Sequence, residues 1–298
     1  MVDWFRFLRW PNLLIIAISM ILVRYAVIEP ALAVPGAFAV SLVGFAGLVL
    51  STVLMAAAGN VANDIADQEI DTLNKPDRVF VGRIVSATGA AKLGLGLTIG
   101  AALVLIPPVR QIGFEPWLLL YPLAALLLLG YAYGLECMPI VGNTLVSFLA
   151  SVVPLLVLFA EQPALNTAFL GATGTILWAY ASFAFLASMF RELVKDLQDA
   201  PGDGACGCNT LAVRSVPAAR GLAFIVLGLL VLGLLAFLVG LGSGPVAWAA
   251  SVGLVGAPLI AAARSLFRAR EPLEYGRVSL FAKMIMLGGL VLLPFLVA

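Results

Sequence analysis

The sequence predicts an all-α polytopic membrane protein with nine transmembrane helices, its N-terminus inside and its C-terminus outside. Three observations carry this. The 298 residues are 62% hydrophobic and 11% charged, against about 45–50% and about 25% in soluble domains. The apolar residues gather into nine runs near the length of about 20 residues that a helix needs to span a bilayer. The basic residues fall almost entirely on one side of those runs.

The first run, 12–29, follows Arg6 and Arg9. Ala31-Leu32-Ala33 resembles a signal-peptidase site, but the run is long for a signal peptide and contains Arg24, so a retained helix is expected. Runs at 36–58 and 90–109 flank a charged cap at about 59–89. Runs at 116–134, 142–160 and 165–189 lead to a second charged cap at about 190–217. Runs at 218–241, 245–263 and 279–297 complete the chain, read as a single intramembrane domain over 1–298. Several runs are rich in Gly and Ala, which lets helices approach closely in lipid. With the N-terminus inside, 15 of the 17 basic residues lie on the cytoplasmic side and only Arg24 and Arg110 lie toward the other.

Net charge is +1, so nothing favours a nucleic-acid partner. The chain has no histidine, which removes imidazole as base or metal ligand. Its three cysteines, Cys137, Cys206 and Cys208, suggest no disulfide framework. Cys206-Gly207-Cys208 lacks a third ligand for a soft metal.

Two acidic clusters carry the chemistry: Asn63-Asp64-Ile65-Ala66-Asp67-Gln68-Glu69-Ile70-Asp71 and Asp196-Leu197-Gln198-Asp199-Ala200-Pro201-Gly202-Asp203. Each spaces its aspartates at i, i+3 and i+7, which is one face of a helix. Carboxylates at the ends of apolar spans are costly and usually functional. Oxygen-only ligands suit Mg²⁺, with waters and phosphate oxygens completing its shell. Two such clusters in an oily protein point to a substrate with a diphosphate head and a lipid tail. The triplets are 132 residues apart with four spans between them, so both halves share one orientation and both clusters face the cytoplasm.

Asn63-Asp64-x-x-Asp67-x-x-x-Asp71, with Asn74-Lys75-Pro76-Asp77-Arg78 after it, resembles the first signature of the UbiA superfamily of intramembrane prenyltransferases. Asp196-x-x-Asp199-x-x-x-Asp203, with Arg191-Glu192 and Lys195 before it, resembles the second. Tyr131-Ala132-Tyr133 through Pro139 and Gly142-Asn143 resembles the stretch before helix 5, and Arg9-Trp10-Pro11-Asn12 the entry to helix 1. The resemblance implies a helical bundle around a central cavity open to lipid. It implies two Mg²⁺ ions held by Asn63, Asp64, Asp67 and Asp71 and by Asp196, Asp199 and Asp203, joined to a prenyl diphosphate. Lys75, Arg78, Arg191 and Lys195 would meet phosphate oxygens. Tyr131 or Tyr133 would face an allylic cation, and Asn12 would contact substrate or a neighbouring helix.

The segment Arg191–Leu211 and the short stretch after Arg78 most resemble the geranylgeranylglycerol-phosphate geranylgeranyltransferase branch, also called digeranylgeranylglyceryl phosphate synthase. That implies transfer of geranylgeranyl to geranylgeranylglyceryl phosphate in ether-lipid synthesis. Quinone-type aromatic prenyltransferases, with a phenolic acceptor, and intramembrane terpene cyclases share the metal site. A lipid-diphosphate carrier would need access from both faces, yet both acidic clusters lie on one. Three departures from the pattern stand out. Glu136 replaces a basic residue. Gly204-Ala205-Cys206-Gly207-Cys208-Asn209-Thr210-Leu211 lacks the usual cations after the second motif. Val79-Phe80-Val81-Gly82-Arg83 replaces a Pro-rich segment.

Overall fold

A computed structural model describes residues 2–74, 76, 79–113, 117–165 and 171–297. Among the described residues thirteen α-helices follow one another: α1 (Val2–Phe7), α2 (Trp10–Leu22), α3 (Leu42–Ala66), α4 (Gln68–Asn74), α5 (Ala87–Ile112), α6 (Trp117–Ala132), α7 (Val141–Glu161), α8 (Ala172–Ala205), α9 (Leu211–Arg214), α10 (Val216–Gly240), α11 (Pro245–Ser251), α12 (Ala257–Arg268) and α13 (Tyr275–Val297). A π-helical stretch and a 3-10 turn extend α2 to Ala31, and a second π-helical stretch, Val252–Gly256, joins α11 to α12. Among the described residues, eight helices are long and apolar enough to cross a membrane. The fourth expected span, 116–134, holds α6, of which 16 residues are described, against the roughly 20 that a full crossing takes.

Local sequence sets the helix starts. Ser41, Ser86, Thr210 and Ser215 accept hydrogen bonds from the backbone N–H groups three residues on, capping α3, α5, α9 and α10. The largest change from the sequence expectation concerns where helices end. α3 runs through Ala66, so Asn63 and Asp64 sit on a membrane helix rather than in a cap. α8 is 34 residues long and carries Asp196, Asp199 and Asp203 within it, continuing through Pro201.

α8 organises the bundle. Its first half joins a core built with α2, α3, α5 and α7, including Leu48, Leu105, Leu158 and Leu177. Its second half joins a core with α10, α12 and α13, including Phe190, Leu227, Leu259 and Val278. A third cluster of Phe7, Val61, Phe80, Val81 and Ala90 lies under the connection between α4 and α5. Thus the Val79-Phe80-Val81 segment plugs this cap with buried apolar side chains, which accounts for one departure from the family pattern.

The end of α3 opposite the motif holds a buried ion pair. Arg24 and Glu161 are 2% and 0% exposed and 3.4 Å apart. The Arg24 guanidinium donates to the Val40 carbonyl at 2.5 Å and lies over Phe38 and Phe45 at 4.1 and 4.3 Å. Glu161 accepts from the Ala39 and Val40 N–H groups at 2.7 and 3.3 Å. The pair ties the loop before α3 to the ends of α2 and α7 and replaces part of the water these charges lose.

Candidate active site

The two acidic motifs come together across one cleft. The first is not one continuous helix. α3 ends at Ala66, Asp67 sits in the break, and α4 resumes with Asp71. Asn63 stabilises that break by donating to the Asp67 carboxylate one turn on. The second motif keeps a single helical face on α8, and Asp199 is 7% exposed.

Asn74, the last residue of α4, staples the halves together. Its Nδ2 donates to the Asp199 carbonyl at 3.0 Å and to Asp203 Oδ1 at 3.3 Å, and its Oδ1 accepts from Gly202 N–H at 3.1 Å. A Cβ at Gly202 would overlap the Asn74 amide, so glycine is what lets α4 approach α8. Asn143, on the first turn of α7, donates to Asp196 Oδ2 at 2.9 Å.

Three cations line the cleft, each paired with a carboxylate. Arg9 meets Asp64 at 2.6 Å. Arg9 caps α2 in a left-handed conformation (φ 55°), uncommon for a residue with a side chain. Lys195 meets Glu136 Oε1 at 3.0 Å, and Arg191 pairs with its neighbour Glu192, which is buried. Glu136 therefore replaces the expected cation yet engages one from α8.

The Asp67 carboxyl is pushed up to about 7, by burial first and then by the negative charges of Glu136 and Asp71. A cation bound there would relieve that repulsion. Among the described residues no three acidic or thiol side chains already converge on one point. The donors are nevertheless oxygen-only on both walls, in a chain with no histidine. That chemistry fits Mg²⁺ completed by substrate oxygens and water.

Of the residues expected at the site, Asn63, Asp64, Asp67, Asp71, Asp196, Asp199, Asp203, Arg191 and Lys195 gather here. Tyr131 on α6 lies among the charges of Lys195, Glu136, Glu192 and Asp196. Tyr133 is 64% exposed, so Tyr131 is the ring that belongs to the cleft. Asn12 is exposed on the first turn of α2. Lys75 and Arg78 lie outside the described residues. Arg9, Asn74 and Asn143 were visible only as parts of longer motifs. Their roles depend on partners 55, 125 and 53 residues away.

The cysteines correct an expectation. Cys137 and Cys208 form a disulfide across 71 residues, and Cys206 is a free, exposed thiol. The bond joins the turn before α7 to the segment after the second motif, beside a hydrogen bond from Asn209 N–H to the Cys137 carbonyl at 3.0 Å. A cavity of about 430 Å³ next to it is lined by Gln68, Glu69, Ile70 and the three cysteines.

Known proteins share this architecture. The UbiA prenyltransferase family model matches residues 22–287. A digeranylgeranylglyceryl phosphate synthase from Methanothrix thermoacetophila is 35% identical over 65% of this chain and 67% of its own. One from Methanoculleus marisnigri is 33% identical over 55% of this chain, and the match spans only 54% of that relative's length. A structure of digeranylgeranylglyceryl phosphate synthase in membranes superposes with TM-score 0.67 at 23% identity, covering 99% of this chain and 96% of that one. A UbiA homolog from Archaeoglobus fulgidus bound to DMAPP and Mg²⁺ gives TM-score 0.57 at 13% identity, over 98% and 99% of the two chains. With the family model covering most of its length and both aspartate motifs facing one cleft, the chain belongs to the UbiA prenyltransferase family.

Proposed function

We propose that this chain is an Mg²⁺-dependent intramembrane prenyltransferase that moves a geranylgeranyl group from its diphosphate to the hydroxyl of geranylgeranylglyceryl phosphate. The active site opens toward the cytoplasm and uses two metal ions. The observation that carries this reading is the joining of two aspartate triplets across one cleft, stapled by Asn74. The similarity to digeranylgeranylglyceryl phosphate synthases supports the choice of acceptor. The basic side chains concentrated on one side of the spans support the orientation.

When bound, Mg²⁺ would neutralise the diphosphate and make it a competent leaving group. The chain's own residues do the rest. Asp64, Asp67, Asp71, Asp196, Asp199 and Asp203 supply the oxygen donors, and Asn63 and Asn143 orient two of them. Lys195 and Arg191 keep their carboxylate partners and turn their remaining N–H donors to the charge developing on the departing diphosphate. Tyr131 offers a ring face to the allylic cation. The apolar bundle keeps out water, which would otherwise quench that cation.

Asp67→Ala and Asp199→Ala test the assignment. Each should lower Mg²⁺-dependent release of diphosphate by at least about 10²–10³-fold, the scale of losing one preorganised electrostatic contact. The bundle should stay folded by circular dichroism. Near-wild-type turnover in either variant would remove the paired-motif site.

A further inference from the structure

Ether formation leaves one proton to place, and the chain has no histidine to take it. We propose that Glu136 is the base that accepts the proton from the acceptor's hydroxyl. The proposal rests on the transfer reading above and assigns a role to a residue outside both aspartate motifs.

The carboxylates near the cleft can be sorted by what already holds them. The six motif aspartates are the oxygen donors of the metal site. Glu192 is buried against Arg191. Glu69 is exposed on α4, and Glu161 is buried at the other end of the bundle. Among the described residues Glu136 is the one left beside the cleft. Its Oε1 accepts from Lys195 at 3.0 Å, which fixes the rotation of the carboxylate. Its Oε2 is buried and has no hydrogen-bond partner. A buried carboxylate oxygen without a partner is costly to keep. A hydroxyl donor arriving with the acceptor would satisfy it.

The position is central. Glu136 exerts its charge on Asp67 between α3 and α4, on Arg9 ahead of α2, on Tyr131 of α6 and on Lys195 of α8. It therefore lies beside the first motif and beside Lys195, the residue just ahead of the second. The position is also rigid. Glu136 sits in a single 3-10 turn, Leu135–Cys137. A Cβ at Gly142 would lie 2.8 Å from the Glu136 Cα, so glycine allows the turn to close on α7. On its other side the Cys137–Cys208 bond and the Asn209 hydrogen bond hold the turn to the segment after the second motif. A base held by its surroundings needs little rearrangement at the moment of proton transfer.

The step balances as follows. The bond between C1 of the donor and its diphosphate oxygen breaks, and its electron pair leaves on the diphosphate. The acceptor oxygen forms the new bond to C1. Its O–H bond breaks, and the proton passes to Glu136 Oε2. The resulting carboxylic acid returns the proton to water when product leaves.

Glu136→Gln keeps the shape and removes the base. Purified variant and wild type would be given Mg²⁺ and labelled geranylgeranyl diphosphate, with and without geranylgeranylglyceryl phosphate. Donor binding would be measured separately by calorimetry. The variant should lose about 10²–10⁴-fold in ether formation, the usual scale of positioned acid–base catalysis. The loss in ether formation should exceed any change in donor affinity or acceptor-free diphosphate release by at least about ten-fold. Glu136→Asp, which retains a carboxylate, should recover at least ten-fold of the lost rate. Unchanged ether formation in the Gln variant overturns the proposal. So does a parallel loss of donor binding and diphosphate release, which would make Glu136 only a support for Lys195. An Asp variant no better than Gln also overturns it. A wild-type protein that releases diphosphate but makes no ether removes the acceptor assignment itself, before any variant is compared.

Discussion

Asn74→Ala should weaken binding of the metal–diphosphate unit far more than it weakens the fold. Asn74 makes three hydrogen bonds to α8, at 3.0, 3.1 and 3.3 Å, one of them to the Asp203 carboxylate. Neutral hydrogen bonds contribute about 1 kcal/mol each and one to a charged group about 1.5 kcal/mol or more. Together they hold α4 against α8 by roughly 3.5 kcal/mol. If all of that organises the cleft, its loss corresponds to about three-hundred-fold weaker binding, at about 1.4 kcal/mol per decade. The bundle cores do not involve this contact, so thermal stability in detergent should fall by only a few degrees. Calorimetric titration of a non-hydrolysable prenyl diphosphate in saturating Mg²⁺ reads the effect. Asn74→Asp should be worse, because it places a carboxylate against Asp203. Wild-type affinity in the Ala variant would mean the two motifs do not depend on this staple.

Three other expectations follow from the same geometry. The Asp67 carboxyl holds its proton up to about 7 in the folded protein, against an unfolded value near 4. The metal-free protein should therefore lose stability as pH rises from about 4 through about 7, while Mg²⁺ binding strengthens over the same range and releases protons. A Mg²⁺ affinity flat between pH 5.5 and 8 would contradict this. Glu161→Ala strands the buried Arg24 charge and should cost about 3–5 kcal/mol, seen as a large drop in melting temperature with unchanged turnover per folded molecule. A maleimide should label one cysteine, Cys206, in the native protein and three after reduction; three labels without reductant would deny the Cys137–Cys208 bond.

The sequence exposed what depends on pattern and concealed what depends on contact. The apolar runs located the helices because a bilayer forces length and composition on any spanning segment. The i, i+3, i+7 spacing picked out both acidic walls of the cleft, since carboxylates beside apolar spans have few roles other than function. Helix ends were less legible. The apolar runs ended at 58 and 189, yet α3 runs on through Asn63 and Asp64 and α8 through the second triplet, while the helix read over the first triplet breaks at Asp67. Hydropathy marks the edge of the oil, while helical hydrogen bonding continues beyond it. The partners of the site residues were not legible at all. Arg9 finds Asp64, Asn74 finds Asp199 and Cys137 finds Cys208 across 55, 125 and 71 residues. Nothing local to either member specifies such a pair. Glu136 looked like a lost cation in the sequence; beside Lys195 it is half of an ion pair.

The central claim is that the stapled aspartate walls carry prenyl transfer to a lipid hydroxyl. Its most direct test is a product analysis with purified protein, Mg²⁺, labelled geranylgeranyl diphosphate and geranylgeranylglyceryl phosphate, read by mass spectrometry. A diether phosphate should form only with Mg²⁺ and disappear in Asp199→Ala. Folded protein that binds the donor but neither releases diphosphate nor forms the diether would contradict it.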